Sequence, residues 1–235
     1  MKDPIIITGC ARSGTSMVAG SIDLCGAWGG SMRGANRNNE KGMFENVRIV
    51  QNIVKPYLKS INVDPLCQYP LPKVDGMPIP SDWKQKIMSS IQQEGYSDGQ
   101  WFYKGAKACL MWPIWNYAFP NAKWIIVRRR AGDIVNSCCK TSFMRAFNET
   151  VKGQTNRNAV GAKTERDGWL WWHDQHILRF REMQDNGLNL KVVWPERMVT
   201  GDYVQMMETI EWVGLKWNSE VLSFIDPKLW KSRKR

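Results

Sequence analysis

The chain has 235 residues, of which 43% are hydrophobic and 23% are charged, and its net charge is +11. This length and composition exclude a disordered or fibrous protein and predict one globular domain, residues 1–235, with a full hydrophobic core. The positive charge is scattered along the chain, apart from a basic tail at residues 231–235. It therefore indicates a solvated basic surface or an anionic ligand, and it argues against nucleic-acid binding.

The spacing of cysteines and histidines argues against a metal site. The sequence has no C-x-x-C pair, and His173 and His176 have no cysteine nearby. The six cysteines show no disulfide framework, which is typical of a reducing compartment. No apolar run approaches the ~20 residues that span a bilayer, and strand-like sequence begins at Ile5 without a signal peptide before it. We expect a soluble, cytoplasmic protein without a membrane span.

The first predicted elements are a buried parallel strand at residues 5–8, which are apolar and β-branched, and a helix at residues 13–27. Residues 44–60 have helical spacing, which Pro56 is expected to break or kink. Residues 61–80 contain five prolines and are predicted to be irregular.

Later elements follow the same alternation. Apolar periodicity predicts further helices at residues 82–93, 109–119, 131–147 and 164–183 and beyond residue 200, with further strands at residues 100–104, 123–127 and 188–193. Ser81 and Thr164 are predicted N-caps, Pro113 is predicted to break its helix, and the polar residues 148–164 are predicted to be mobile. Alternating strands and helices predict a three-layer α/β/α fold with a mainly parallel sheet, and ligands at the carboxyl ends of its strands.

The segment GCARSGTS, residues 9–16, follows the first strand. It is similar to a phosphate-binding loop, G-x-x-x-x-G-K-[ST], but Thr15 stands where the lysine is expected. Free N–H groups at a helix N-terminus attract an anion, and Gly14 lets the backbone approach it closely. Thr15 and Ser16 can donate hydroxyl hydrogen bonds, and Arg12 can bind the same anion with its guanidinium fork. The pattern therefore predicts an anion site without a Walker lysine.

A second anion site is predicted after the strand at residues 123–127. A nucleoside-triphosphate enzyme commonly has a Mg²⁺-binding carboxylate at such a place, but here Arg128, Arg129 and Arg130 follow the strand. Three arginines repel a metal ion and attract a phosphate. Ser137 comes eight residues after Arg129, and an arginine together with a serine hydroxyl suits a phosphate monoester. The alternative interpretation is a basic strand end exposed to solvent.

The motifs RSGTS and VRRRAGDIVNS resemble those of the PAPS-dependent sulfotransferase family. Three longer stretches, residues 38–46, 102–129 and 193–218, are also similar to that family. The resemblance implies a P-loop-like sulfotransferase fold and a donor, 3′-phosphoadenosine 5′-phosphosulfate (PAPS), that needs no metal and leaves PAP as product. It implies that the phosphosulfate is held by Arg12, Ser13, Gly14, Thr15 and Ser16, and the 3′-phosphate by Arg129 and Ser137. The sulfuryl acceptor would be a hydroxyl or amine of a small molecule or glycan.

The catalytic residues depart from the pattern of cytosolic members, in which a histidine follows the active-site lysine. Here the stretch is KGAKA, residues 104–108, so Lys104 has no histidine beside it. We therefore predict that Glu45 is the general base, with Glu40 as the alternative. Lys104 and Arg12 are predicted to stabilise charge that develops on the departing phosphate.

For several residues the sequence allows both a functional and a structural role. Lys107 is the alternative to Lys104, and Lys41 is either an acceptor-side residue or a solvated loop lysine. His173 and His176 are expected to be structural. Trp194 is a candidate for stacking on adenine, although its sequence context favours a core role. The family's C-terminal donor motif is unclear, and the segment LWKSRKR, residues 229–235, is its candidate replacement.

Two other function classes stay open at this stage. A P-loop nucleotide or nucleoside kinase requires a Walker lysine and a metal-binding carboxylate, and the sequence has neither at the expected positions. A non-catalytic nucleic-acid-binding protein is suggested by the charge of +11 and the thirteen tryptophans. Strongly salt-dependent binding of DNA or RNA would support the latter.

Overall fold

The structure, a computed structural model, describes residues 2–37 and 39–230. The basic tail, residues 231–235, therefore lies outside the described residues. Four strands form one sheet: β1 (Ile5–Gly9), β2 (Phe102–Lys104), β3 (Lys123–Val127) and β4 (Leu190–Val193). Their order is β2-β1-β3-β4, and each neighbouring pair is parallel. The predicted α/β class with a parallel sheet is confirmed.

Side chains alternate between the two faces of the sheet, as the strand geometry requires. On β1, Ile6 packs into one hydrophobic core, whereas Ile5 and Ile7 pack into another on the opposite face. All three are fully buried. Helices contribute to both cores, so the sheet is the middle layer of three. This burial on both faces explains why the strands are continuous apolar runs.

The helices connect and cover the strands. They are α1 (Thr15–Leu24), α2 (Lys55–Ser60), α3 (Trp83–Gln93), α4 (Trp112–Ala118), α5 (Ala131–Lys140), α6 (Val151–Ala159), α7 (Glu165–Asp185), α8 (Pro195–Val199), α9 (Val204–Trp212) and α10 (Glu220–Phe224). A π-helical segment, Ile49–Val54, leads into α2, and 3₁₀ turns cover Ala108–Met111 and Pro227–Leu229. In the part of the chain that the structure describes, no helix is long and apolar enough to cross a membrane.

Local signals predicted some helix ends correctly. Thr164 caps α7 in a capping box, because its hydroxyl accepts from the Asp167 N–H and the Asp167 carboxylate accepts from the Thr164 N–H. The helix type changes next to each proline, in agreement with the predicted breaks: a π-helical segment ends before α2 and a 3₁₀ turn ends before α4. Pro56 and Pro113 lie in the first turns of α2 and α4, where a residue without an N–H group begins a helix without losing a hydrogen bond.

Three further predictions about elements were wrong. Residues 148–164 contain α6, which is held by buried Asn156 and Arg157 donating to the carbonyl groups of Ala146 and Phe147. The predicted helix 131–147 ends at Lys140, because the segment after it is fixed by contacts with distant residues, such as the Gln68 amide. Helix α3 shows no side-chain cap at its start, so Ser81 does not cap it.

The strand order determines where a ligand can bind. The chain moves from β1 to β2 on one side and then crosses to β3 on the other side of β1. Loops after β1 and β3 therefore diverge and leave a crevice at the carboxyl ends of the strands. In the register of the sheet, Gly9 lies opposite Val127, and Ile7 lies opposite Lys104. The loop after β1, Lys104 and the arginines after β3 thus meet at one edge.

Candidate active site

A cleft of about 890 Å³ opens at this edge of the sheet. Nearly all of the side chains that the sequence singles out line it. They are Arg12, Gly14, Thr15, Ser16, Glu45, Lys104, Arg129 and Ser137. These residues come from the β1–α1 loop, the loop before the π-helical segment, the end of β2, the end of β3 and α5. Ser13 is the one predicted site residue that is not part of the lining.

The β1–α1 loop turns sharply because two of its residues have left-handed backbones. Arg12 has φ 74° and Gly14 has φ 99°. A Cβ atom on Gly14 would lie 2.9 Å from the ring of Trp230 and 3.0 Å from Pro195, so only glycine fits there. Thr15 and the residue after it begin α1, and the first N–H groups of a helix have no acceptor within it. This turn directs polar groups and a positive helix end at the cleft.

Ser13 is buried inside the loop and does not line the cleft. Its hydroxyl lies beside Gly9, whose added Cβ atom would be 2.9 Å from the Ser13 Oγ atom. The side chain is fully buried and has no hydrogen-bond partner among residues 2–37 and 39–230. Its N–H group donates to the Cys10 carbonyl at 3.1 Å. Ser13 therefore supports the loop from within, and its expected contact with the phosphosulfate stays a prediction.

Two arginines and a serine converge on one side of the cleft. Arg12 Nε donates to Ser137 Oγ at 2.9 Å, and Arg129 donates to the Arg12 carbonyl at 3.1 Å. The guanidinium of Arg129 also stacks on the ring of Trp230, 4.0 Å from its centroid. Burial lowers the pKa of both arginines, but guanidinium groups keep their charge in proteins. The two anion sites that the sequence predicts are thus joined by a hydrogen bond.

Glu45 and Lys104 form an ion pair in the same cleft. Lys104 Nζ lies 3.1 Å from Glu45 Oε1, and the two side chains are 4% and 16% exposed. The Glu45 backbone carbonyl accepts from the Arg33 N–H at 2.8 Å, which fixes the loop that carries it. Burial favours the neutral carboxyl, but Lys104, Lys107 and Arg33 outweigh burial and hold the pKa of Glu45 below its ordinary value. Glu45 is therefore ionised at neutral pH.

The alternative residues also border the cleft. Glu40, Lys41 and Lys107 are part of its lining. Lys41 Nζ lies over the Phe224 ring, 5.4 Å from its centroid. Each of these residues therefore lies in the same cleft as Glu45 and Lys104.

The histidines divide between two environments. His176 lines the cleft, and its Nδ1 atom bonds to the Trp172 carbonyl at 2.8 Å, so Nδ1 carries the proton. Burial lowers the pKa of His176 to about 4, which keeps it neutral at pH 7. His173 is not part of the lining and bonds to Asp174. No pattern in the sequence indicated that His176 would line the cleft.

Trp230, and not Trp194, lines the cleft. Trp194 is not part of the cleft lining, and its ring packs 5.4 Å from the guanidinium of Arg128. Trp230, to which the sequence assigned no role, lines the cleft between Gly14 and Arg129. Its position in the C-terminal segment LWKSRKR was the only signal that could have indicated it.

No cluster of three or more histidine, cysteine, aspartate or glutamate side chains suited to a metal ion occurs within residues 2–37 and 39–230. The anion-binding groups of the cleft are arginine, lysine, hydroxyl and backbone N–H groups. These groups can bind phosphate and sulfate directly.

The arrangement of strands and helices is similar to that of a solved sulfotransferase. The crystal structure of sulfotransferase STF9 from Mycobacterium avium superimposes with a TM-score of 0.54, and the match covers 95% of this chain. The match covers 66% of the STF9 chain, so this chain spans about two thirds of that enzyme's length. Sequence identity is 13%, and the likeness therefore concerns the fold. No family model and no curated protein sequence matches the chain.

Proposed function

We propose that the protein is a sulfotransferase that moves the sulfuryl group of PAPS to a hydroxyl or amine of a small-molecule or glycan acceptor. The observation that carries this proposal is the convergence of Arg12, Arg129 and Ser137 with the N-terminus of α1 at one cleft. Positive side chains occupy the place after β3 where a nucleotide kinase needs a metal-binding carboxylate. The sulfotransferase-type fold supports the same conclusion.

The donor would lie along the carboxyl ends of β1 and β3. Thr15, Ser16 and the first N–H groups of α1 would bind the phosphosulfate, while Arg129 and Ser137 would bind the 3′-phosphate. Arg12 bonds to Ser137, so a bound phosphosulfate would compete for its guanidinium. Trp230 replaces Trp194 as the candidate that contacts adenine, because its ring lies beside the proposed 3′-phosphate site.

Transfer would proceed by in-line attack of the acceptor on sulfur. Charge that develops on the bridging oxygen of the leaving phosphate would attract Lys104. As Lys104 turns to the donor, Glu45 loses the partner that contributes most to its low pKa. The pKa of Glu45 then rises, and the carboxylate becomes a better base for the acceptor proton. The Glu45–Lys104 pair would in this way couple donor binding to base strength.

Metal-free binding of PAP tests the proposal. In calorimetric titrations with EDTA, PAP should bind, and it should bind more tightly than ATP. The reason is that the cleft offers cationic groups for two phosphate positions and does not depend on Mg²⁺ to neutralise them. If EDTA abolished PAP binding, or if ATP with Mg²⁺ bound as tightly, the proposal would be wrong and a nucleotide kinase would be favoured.

A further inference from the structure

The charge of the cleft exceeds what the donor requires. Among the residues that the structure describes, nine lysine and arginine side chains and three carboxylates line it. A phosphate monoester carries about −2 at neutral pH, and the phosphosulfate adds about one negative charge for each of its two acidic groups. A donor charge of about −4 therefore leaves roughly two of the six excess positive charges without a counterpart.

Several of these cations are not among the residues proposed to hold the donor. We define the acceptor wall as Arg33, Glu45, Lys55 and Lys107, which all line the cleft. Arg33 is next to Glu45 because their backbones are hydrogen-bonded. Lys55, at the start of α2, is half-buried, and its ammonium donates to Gln51 Oε1 at 3.1 Å. That bond uses one of its three N–H donors and leaves two for a ligand.

The acceptor wall is electrostatically unfavourable without a ligand. The pKa of Lys55 is lowered by its burial and then by the positive charges of Lys107 and Arg33. Glu45 opposes this effect, but its nearest partner is Lys104. Lys107 and Arg33 therefore repel Lys55, and a bound anion would relieve that repulsion.

We propose that the sulfuryl acceptor is itself anionic, with a carboxylate or sulfate next to the hydroxyl or amine that reacts, and that Arg33, Lys55 and Lys107 bind this anion. The proposal rests on the proposed function and adds the substrate class. Glu45 lies on the same wall and would face the reacting group, while the three cations hold the neighbouring anion. An acidic sugar unit has this chemistry. A neutral sugar or phenol would bring no negative charge to these three cations.

Three matched sugars test this directly: p-nitrophenyl glucuronide, p-nitrophenyl glucoside and p-nitrophenyl glucoside 6-sulfate. They share one ring and differ at carbon 6, so they compare carboxylate, hydroxyl and sulfate. Each is titrated into protein saturated with PAP, after PAP binding has been measured in the same sample. At least one acidic sugar should bind tenfold or more tightly than the glucoside, and high salt should reduce the difference.

Two variants test whether residues of the acceptor wall cause the preference for an acidic sugar. Lys55→Gln and Arg33→Gln should each reduce the preference for the acidic sugar several-fold and leave PAP affinity nearly unchanged, which also shows that the variants fold. Lys152→Gln, an exposed lysine of α6 outside the cleft, should alter neither property. Equal affinity for all three sugars, no measurable binding of either acidic sugar, or an intact preference in both variants would overturn the inference. Absence of PAP binding would instead refute the proposed function.

Discussion

The ion pair between Glu45 and Lys104 joins two residues that are 59 positions apart. It gives Glu45 the negative charge that a base requires, but the low pKa that results makes the carboxylate a weak base. A glutamine at position 45 keeps the shape of glutamate but has neither its charge nor its basicity. The substitution therefore tests whether catalysis needs the Glu45 carboxylate.

Glu45→Gln should lower the turnover number by a factor on the order of 10²–10⁴, which is the usual effect of losing general acid–base catalysis. PAP affinity should change little, because Glu45 is proposed to act on the acceptor. The measurements are transfer from labelled PAPS and calorimetry with PAP. Glu40→Gln is the matched control, since Glu40 lines the same cleft. Near-normal turnover in Glu45→Gln with a large loss in Glu40→Gln would assign the base to Glu40.

Arg129 is the second residue for which the structure predicts a selective effect. Arg129→Ala should weaken PAP by about 2–4 kcal/mol, as for removal of one partner of a desolvated charge pair. 5′-AMP and adenosine 5′-phosphosulfate lack the 3′-phosphate and should lose much less. Arg130→Ala is the control, because Arg130 is exposed and pairs with Glu196 outside the cleft. Equal weakening of all three ligands would show that Arg129 does not bind the 3′-phosphate.

At the scale of elements, the β1–α1 loop depends on its contact with the C-terminal segment. Trp230 covers Gly14 and stacks on Arg129, so the loop after β1 and the end of β3 share one aromatic neighbour. The loop's shape is therefore fixed by a residue that is more than two hundred positions away. This contact explains why the glycine at position 14 is needed for packing as well as for its backbone angle.

Gly14→Ala should therefore reduce PAP affinity at least tenfold and also destabilise the fold. The added Cβ atom meets Trp230 at 2.9 Å, and φ is +99°. A left-handed backbone costs a non-glycine residue about 1–2 kcal/mol. Gly26→Ala is the control, because Gly26 has φ +95° and open space around its Cβ position. Calorimetry and urea unfolding should show that both variants lose stability and that Gly14→Ala alone loses PAP affinity. Normal PAP binding by Gly14→Ala would contradict the proposed role of the loop.

At the scale of the whole molecule, the free energy of unfolding should depend on pH through Glu45. Its folded pKa is lowered, so its ionised form stabilises the fold at pH values above the unfolded pKa of about 4.3. This contribution is lost as the pH falls through the lower folded pKa. Wild type should therefore be more stable than Glu45→Gln at pH 7, and the difference should shrink in the acid range below about pH 4.

Urea unfolding of both proteins at pH 7 and at successively lower pH measures this difference. Glu40→Gln serves again as the control and should show a smaller difference at pH 7, because no ion pair of Glu40 is seen among the described residues. A stability difference between wild type and Glu45→Gln that stayed constant with pH would mean that packing, and not charge, determines the effect of the substitution.

Much of the fold could be predicted from the sequence because its signals are local. Buried strands are apolar and β-branched runs, and the capping box of α7 is contained in four consecutive residues, Thr164 to Asp167. The glycine turn after β1 is also a local signal. These patterns predicted a parallel sheet with anion-binding residues at its carboxyl edge. The prediction for residues 148–164 was wrong because polar composition does not reveal that the buried Arg157 side chain donates to the carbonyl groups of Phe147 and Asn148.

The sequence by itself determined the residue types of the cleft: a glycine loop, arginines after a strand, and a lysine at the end of another. Only the tertiary structure decided their neighbours. It pairs Lys104 with Glu45, joins Arg12 to Ser137, and buries Ser13 beneath the loop that the sequence singled out. The reason is that strand order and chain crossover bring together residues that are distant in sequence, and no local pattern encodes that distance. The excess of positive charge on the acceptor wall became visible only after these segments had been assembled around one cleft.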